Sequence, residues 1–356
     1  MLTSLSIENF TAFSKAEFEF VPGINVLLGA NASGKTHVLK LAYALQRLQS
    51  TTVGASRDVL GALMNTFRPE SVSDLIRGDS TPRSADIAAT WEGLPYSISI
   101  TDPAFYATAG SPGHQTVGMV KEGQLTGTLI EERPTDWEGV TEPVFIPVKD
   151  MLAHSVGFLS LYDQRHVDFD ETHRSSLVLA LLPTLRESGR KQVTPLLDKL
   201  AEKLEGRVEV RGERFYINGE SGRFEMHLVA EGWRKLALLY QLLANGSIAP
   251  GTVLYWDEPE ANLNPSMFPA VAEILAMLAG GGTQLHIATH SYAMLREIEF
   301  AARAQSCTLR LFGLDRTAQG VAVSAVERFV DLKPNPILDE YERLYGLSVK
   351  EALRGG

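Results

Sequence analysis

One glycine-rich segment near the start of the chain limits the possible folds more than any other feature. It matches the pattern G-x-x-x-x-G-K-[S/T] and reads Gly29-Ala30-Asn31-Ala32-Ser33-Gly34-Lys35-Thr36. The apolar run 24–28 before it predicts a buried strand, and apolar residues at helical spacing from Val38 to Leu48 predict an amphipathic helix after it. Backbone N–H groups at such a turn bind phosphate, because the amino end of a helix has unsatisfied donors and positive potential. The segment therefore predicts a nucleotide-binding α/β core.

Two residues of this loop have separate predicted roles. The Lys35 ammonium would reach the β- and γ-phosphates of ATP, and the Thr36 hydroxyl would ligate Mg²⁺. We include His37, the next residue, among the nucleotide contacts. The alternative is a glycine-rich turn with an incidental lysine, which the flanking strand and helix disfavour.

A second motif places two carboxylates at the end of a predicted buried strand. The apolar run 253–256 ends in Asp257 and Glu258. The carboxyl ends of strands are where α/β sheets bind ligands. We expect Asp257 to hold Mg²⁺, largely through water, and Glu258 to orient and activate the attacking water. The alternative is an acidic turn, Asp-Glu-Pro-Glu, that closes a strand.

Two further positions complete the predicted site. His290 follows the next predicted strand, 284–289, which lies beside the strand of Asp257 if the crossover is right-handed. Its neutral imidazole could hydrogen-bond a γ-phosphate or the attacking water, although a histidine at a strand end is often structural. Glu231 and Gly232 precede a long predicted helix and form a second anion site, or else a simple turn and cap.

The order of predicted elements divides the chain into a split core and two insertions. Helices and strands alternate from Gly232 onward, which implies a parallel sheet covered by helices. We predict an α/β core from 1–50 and 206–330, and a C-terminal helical segment at 331–356. The predicted insertions are a β-rich lobe at 84–146, with one hairpin turned at Glu122-Gly123, and a helical lobe at 151–205.

Composition excludes several classes of protein. The 356 residues include 33 Lys and Arg against 43 Asp and Glu, for a net charge of −10, which argues against a surface built wholly for nucleic acid. Cys307 is the only cysteine, so an internal disulfide or a cysteine-rich zinc site is excluded. No apolar stretch approaches the roughly 18 residues that span a bilayer, and no export signal precedes the first strand. We therefore expect a cytoplasmic protein without a membrane partner.

In order and spacing these motifs resemble those of the ABC-type ATPases, within the RecF/SMC/OLD-like branch of bacterial ATPases. The resemblance covers roughly 1–50 and 225–315. The segments typical of that branch are Leu5-Ser6-Ile7-Glu8-Asn9-Phe10, Gly23-Ile24-Asn25-Val26-Leu27-Leu28-Gly29 and Asp257-Glu258-Pro259-Glu260-Ala261-Asn262-Leu263-Asn264-Pro265. It implies a P-loop NTPase core of the ABC-ATPase type, with the inserted antiparallel β lobe and helical lobe added to it.

The resemblance also implies roles for individual residues. Gly232 would belong to the signature motif, residues 262–264 to the loop after Walker B, and His290 would be the switch histidine. The chain departs from the family pattern at Ala230, where a serine is usual, and at Thr11, where many relatives carry a basic residue. No glutamine follows the run 145–147, where a Q-loop would lie; Lys149 and Asp150 are the polar residues there.

The leading functional interpretation is an ATP hydrolase that acts as a switch. Two anion sites, at 29–36 and at Gly232, suggest a homodimer with two ATP molecules between the chains. Without a hydroxyl at Ala230, closure would depend on backbone amides, Arg234 or Lys235. By the resemblance, the switch would act on a separate effector such as a nuclease or toxin, as in anti-phage defence.

Two other functions fit less well. A DNA-binding repair ATPase would need a basic channel, and residues 186–214 offer only 8 basic against 6 acidic residues. A transporter ATPase subunit fits the core motifs but not the β-rich insertion.

Overall fold

A computed structural model describes residues 1–50, 58–81, 83–101, 114–121, 124–132, 141–333 and 335–354. Among these residues the strands are β1 (Leu2–Phe10), β2 (Phe13–Glu19), β3 (Ile24–Gly29), β4 (Ser84–Trp91), β5 (Leu94–Thr101), β6 (His114–Lys121), β7 (Gln124–Glu132), β8 (Val144–Ile146), β9 (Arg207–Arg211), β10 (Arg214–Gly219), β11 (Gly222–Glu225), β12 (Val253–Asp257), β13 (Gln284–Thr289), β14 (Leu309–Thr317) and β15 (Gly320–Val326). The α-helices of the same residues are α1 (Lys35–Leu48), α2 (Val59–Phe67), α3 (Phe158–Asp163), α4 (Glu171–Ala180), α5 (Glu187–Arg190), α6 (Thr194–Lys203), α7 (Glu231–Ala244), α8 (Phe268–Gly280), α9 (Tyr292–Ala304) and α10 (Pro336–Arg354).

A mostly parallel sheet positions the predicted site. Its spatial order is β15-β14-β3-β13-β12-β8, with only β15 antiparallel to its neighbour. The strands β3, β12 and β13 are buried along their whole length, which explains why their sequences are nearly continuous apolar runs. The carboxyl ends of β3, β13 and β12 therefore lie side by side at one edge. The predicted α/β class is confirmed.

A second sheet, which is antiparallel, packs against α1. Its strands come from two segments that the sequence analysis assigns to different parts of the chain. Its order is β2-β1-β4-β5-β7-β6. Strands β1 and β2, predicted as core, thus share one sheet with the predicted β-rich lobe. The pairing of β1 with β4 sets Leu5 opposite Ala89 and Ile7 opposite Ile87, so both strands bury the same face. The predicted turn at Glu122-Gly123 lies outside the described residues.

Strand β8 also differs from its predicted place. Residues 144–146 were expected within the β-rich lobe, but they pair in parallel with β12 at the edge of the other sheet. All three are buried, because both faces of that sheet are covered. A small sheet of order β11-β10-β9 also lies apart from the parallel sheet, although its residues fall in the range predicted as core.

Helices cover both faces of the parallel sheet. The apolar face of α1 packs in one core cluster with the antiparallel sheet, and α7, α8 and α9 pack in a second cluster on the opposite face. Two ion pairs join α1 to α4 and its cap: Lys40 to Asp170 (2.7 Å) and Arg47 to Glu171 (2.5 Å). Among the described residues, no helix has both the length and the apolar character that a bilayer crossing requires.

Candidate nucleotide-binding site

The loop between β3 and α1 depends on two glycines. At Gly34 the backbone is left-handed (φ 90°), and a Cβ there would stand 2.6 Å from the Phe13 ring. A Cβ at Gly29 would stand 2.4 Å from the Leu314 carbonyl oxygen. The exposed residues of the loop, 30–32, are small or uncharged. The glycines therefore let the chain turn tightly and present backbone N–H groups at the start of α1.

Lys35 lies folded over this loop. Its Nζ donates hydrogen bonds to the carbonyl oxygens of Gly29 and Ala30, both at 2.9 Å. Burial lowers the pKa of Lys35, and the carboxylates of Glu258, Asp257 and Glu260 act in the opposite direction. Ser33 Oγ is buried and has no hydrogen-bond partner within the described residues. An ammonium and an unsatisfied hydroxyl beside free helix amides are the donors that a phosphate group requires.

Thr36 and Asp257 meet across the sheet edge, as the sequence predicts for a metal site. The Thr36 hydroxyl donates to Asp257 Oδ2 at 2.8 Å. Burial raises the pKa of Asp257 to about 6, although the Thr36 hydrogen bond acts against the shift. A hydroxyl and a carboxylate at the end of a phosphate loop are oxygen donors that suit Mg²⁺. The residues present therefore fit the predicted cation.

Glu258 and His290 are also brought together. His290 Nδ1 lies 3.0 Å from Glu258 Oε1. The Glu258 backbone is left-handed (φ 47°), and its N–H donates to the Ala288 carbonyl at the end of β13. The Glu258 side chain is 25% exposed, so water reaches it, whereas that of the neighbouring Glu260 is buried against the Thr289 hydroxyl. The two strand ends thus hold a carboxylate and an imidazole in direct contact.

His37 lies beside the turn between β1 and β2. Its Nδ1 is 3.0 Å from Thr11 Oγ1, and burial lowers the pKa of the imidazole, with a smaller contribution from Lys40. Thr11 has a left-handed backbone (φ 50°) at this turn. The residue predicted as a nucleotide contact is therefore half-buried at the first turn of α1, next to the loop.

The start of α7 is arranged differently from the open anion site that the sequence suggests. Gly232 is buried, and a Cβ there would stand 2.4 Å from the carbonyl oxygen of Asn262 in the loop after β12. Ala230 is exposed, and Glu231 is half-buried. The exposed part of this helix start is therefore Ala230, whereas Gly232 packs against its own chain.

Two sequence profiles match the core. The family described as "AAA domain, putative AbiEii toxin, Type IV TA system" matches residues 153–296, and one described as "AAA domain" matches residues 4–46. The second match contains the phosphate loop, and the first contains Asp257 and His290. The two profiles thus cover both halves of the site.

Curated relatives match over a short stretch. The DNA replication and repair protein RecF of Lactobacillus acidophilus is 35% identical over 60 residues, which are 17% of this chain and 16% of that protein. RecF of Salinibacter ruber is 43% identical over 58 residues, 16% of this chain and 14% of that protein. The chain thus aligns with about a sixth of the length of these relatives.

Solved structures share the fold over nearly the whole chain. An SMC head bound to the C-winged helix domain of ScpA superposes with a TM-score of 0.56 and 14% identity, covering 92% of this chain and 98% of that one. An SMC head with an extended coiled coil, bound to the C-terminal domain of ScpA and derived from Pyrococcus furiosus, gives 0.51 and 12%, covering 99% of both chains. The profile matches, the RecF identities and the SMC-head fold together support an ABC-type ATPase core of the RecF/SMC-like branch.

The two cations that follow Gly232 are both engaged within the chain. The Lys235 side chain is fully buried, and its Nζ donates to the Glu258 carbonyl at 2.8 Å. Arg234 Nε forms an ion pair with Asp150 Oδ2 at 3.3 Å, and Asp150 is also buried. The expectation that Lys235 is available to a second chain is therefore wrong, because the residue lies on the buried face of α7.

Sequence reasoning missed this position of Lys235, although the sequence contained a signal for it. Lys235 precedes Leu238, Leu239 and Leu242 by three, four and seven residues, which puts it on the apolar face of the helix. A charged residue on such a face is rarely buried without a partner. The pattern alone could not identify the partner, the Glu258 carbonyl, because it lies in another motif.

Proposed function

We propose that the chain binds ATP with Mg²⁺ at residues 29–36 and hydrolyses it. The observation that carries this proposal is the convergence of Thr36, Asp257, Glu258 and His290 at one sheet edge, in two direct contacts. Loop amides and Lys35 would bind the phosphates, and Thr36 and Asp257 would hold the cation. When bound, Mg²⁺ supplies positive charge to the phosphate oxygens.

Glu258 has the placement of a general base. A hydrogen bond from His290 Nδ1–H to Oε1 would fix the direction of the carboxylate and leave Oε2 to accept a proton from water. Asp257 is buried beside it and directed at the Thr36 hydroxyl. The buried Asp257 is therefore suited to hold the cation, whereas the partly exposed Glu258 is suited to accept a proton from water.

The Glu258→Gln variant tests this assignment. It keeps the shape of the side chain but removes the base, so we expect ATP to bind within a few-fold of wild type while turnover falls by roughly 10² or more. Equilibrium ATP binding and single-turnover hydrolysis measure the two effects. Glu17→Gln, which alters an exposed carboxylate on β2, is the matched control. If Glu258→Gln hydrolyses ATP at the rate of the control, a residue other than Glu258 is the general base.

We propose further that two chains close around two ATP molecules. The exposed part of the phosphate loop, 30–32, and the exposed Ala230 both lie at the amino end of a helix, where the first backbone N–H groups have no intrahelical partner. They belong to separate elements, and a two-fold axis would set each against its counterpart in the second chain. ATP would then join the chains, and hydrolysis would release them.

This cycle would switch a separate effector protein such as a nuclease or toxin. The profile match to a family whose description includes a toxin system supports this direction. Pull-down from the native host with Glu258→Gln plus ATP, against Lys35→Ala plus ATP, is the test. A partner retained only by the ATP-trapped chain supports the switch, and equal recovery from both chains contradicts it.

A DNA-binding repair ATPase is the second candidate. It is favoured by the identity with RecF, which is named for DNA replication and repair in those organisms. Binding of duplex DNA that weakens steeply with salt would support this function. Its absence in the ATP-trapped Glu258→Gln chain would leave the effector switch as the better account.

A further inference from the structure

Lys235 is a buried cation in the interior of the ATPase core. Its side chain has 0% exposure, and the residues that follow it on the same face of α7, Leu238, Leu239 and Leu242, are buried as well. A buried ammonium is costly unless a polar group satisfies it. Here the partner is the carbonyl oxygen of Glu258, 2.8 Å from Nζ. Burial lowers the pKa of Lys235, and the carboxylates of Glu260, Glu258, Asp257 and Asp150 act against that shift.

The bond from Lys235 ends on a backbone that needs support. Glu258 has a φ of 47°, a left-handed conformation that residues other than glycine rarely adopt without outside constraint. Its peptide groups are held from both sides: the N–H donates to the Ala288 carbonyl at 2.9 Å, and the carbonyl accepts from Lys235. The direction in which the Glu258 side chain leaves the sheet edge follows from this backbone.

A second contact joins the same two segments. Gly232, less than one helical turn before Lys235, packs so closely on the Asn262 carbonyl that a Cβ would stand 2.4 Å from it. Asn262 itself is left-handed (φ 63°). The start of α7 and the loop 258–263 are thus held together at two points.

We propose that Lys235 is a positioning residue for Glu258, holding the carboxylate in the place where it activates water. Because Lys235 and Gly232 lie on one rigid helix start, the same bond links the surface at Ala230 to Glu258 of the same chain. An ATP molecule that is bound by a second chain and contacts the surface at Ala230 would then change the position of the Glu258 carboxylate in this chain. This inference rests on the proposed function.

The test compares two buried side chains of α7 that make the same kind of bond. Lys235→Met removes the bond to Glu258, and the control Gln241→Met removes the bonds from Gln241 Nε2 to the carbonyl oxygens of Ala180 (3.0 Å) and Leu182 (3.4 Å). We expect Lys235→Met to lower kcat at least thirtyfold with the ATP dissociation constant within threefold of wild type. Gln241→Met should keep kcat within threefold at a comparable loss in Tm.

Each remaining result decides the matter. If the kcat of Lys235→Met is less than thirtyfold below that of Gln241→Met, the positioning role is overturned while the proposed function stands. If Lys235→Met does not fold, Lys235→Gln takes its place: a loss of kcat of tenfold or more with unchanged ATP binding supports the role, and a smaller loss overturns it. A wild-type chain that binds but never hydrolyses ATP overturns this role and the proposed function together.

Discussion

His286 is a titratable side chain that is fully buried on strand β13 of the parallel sheet. Its ring stacks on Tyr255 at 4.9 Å and meets the Phe20 ring edge-on at 4.5 Å. Burial, with a smaller effect of the N-terminal ammonium, lowers its pKa to about 3. The folded chain therefore keeps His286 neutral at a pH where the unfolded chain protonates it. Its contribution to stability is complete above the unfolded pKa, about 6.5, and is lost progressively as the pH falls toward 3.

We therefore predict that His286→Phe reduces the acid sensitivity of the fold. Phe keeps an aromatic ring and removes Nε2, which is buried without a partner in the described part of the chain. Between pH 7.5 and 5.5 the wild type should lose about 1.4 kcal/mol more of its free energy of unfolding than the variant does. Urea unfolding at both pH values measures this difference. Equal losses would mean that His286 has the same pKa in the folded and the unfolded chain.

Lys35 provides the second prediction at this scale. In Lys35→Ala the phosphates lose their charge-assisted donor, and such bonds are worth about 1.5–3 kcal/mol. We expect ATP affinity to fall by roughly tenfold to a hundredfold and turnover to disappear. Lys15→Ala, an exposed lysine paired with Glu17 on β2, is the control. Unchanged turnover in Lys35→Ala would refute the phosphate-loop assignment.

At the scale of single elements, the start of α7 lacks a cap. Ala230 occupies the N-cap position and has no side chain to accept a hydrogen bond from the first turn. Serine at this position favours helices by about 0.5–2 kcal/mol over alanine. We predict that Ala230→Ser raises the free energy of unfolding by an amount in this range, measured without nucleotide. Ala318→Ser, in the exposed turn between β14 and β15, should have no such effect.

Local sequence patterns predict the strands and helices that hold the site better than they predict which strands pair with each other. The runs 24–28, 253–256 and 284–289 are mostly apolar, and such runs belong to strands covered on both faces. The pairing of β1 with β4 could not be read in this way, because about 75 residues separate them and either strand fits any apolar face. The three residues of β8 are too few for a pattern to choose between two sheets.

The sequence could predict which side chains come together wherever they lie at or soon after the end of a parallel strand. Thr36, Asp257, Glu258 and His290 meet because parallel strands end at one edge. The burial of Gly232 and Lys235 was not predicted, because it depends on how α7 docks against a loop from another motif. Side-chain partners across elements are fixed by packing, which periodicity does not encode.

At the scale of the whole molecule, we predict that nucleotide controls assembly. Glu258→Gln with ATP and Mg²⁺ should elute at twice the chain mass in size-exclusion chromatography with light scattering. Lys35→Ala under the same conditions should remain a monomer, because the variant no longer binds the phosphates of ATP tightly. Dimers of equal abundance with and without ATP would show that nucleotide does not join the chains.

Mixed chains extend this test. Lys35→Ala impairs the phosphate loop of its own chain. Ala230→Asp places a carboxylate where the phosphates of the ATP bound by the second chain would lie. A heterodimer has one site with both lesions and one intact site, so mixing should restore part of the turnover. Ala230 is preferred to Gly232 for this purpose, since a side chain at Gly232 would displace Asn262 of its own chain. Exchange of chains without recovered turnover would contradict the two-fold arrangement.

The central strand of the parallel sheet is synthesised early and paired late. Strand β3 ends at Gly29, but its neighbours β13 and β14 begin at Gln284 and Leu309. At roughly 5–20 residues per second, translation needs on the order of tens of seconds to deliver them. During that interval the apolar run 24–28 has no sheet to join, and pairing over such a separation is slow. A nascent chain therefore relies on early closure of β1, β2 and β4, or on a chaperone, to keep this strand from aggregating until the ribosome has finished the core.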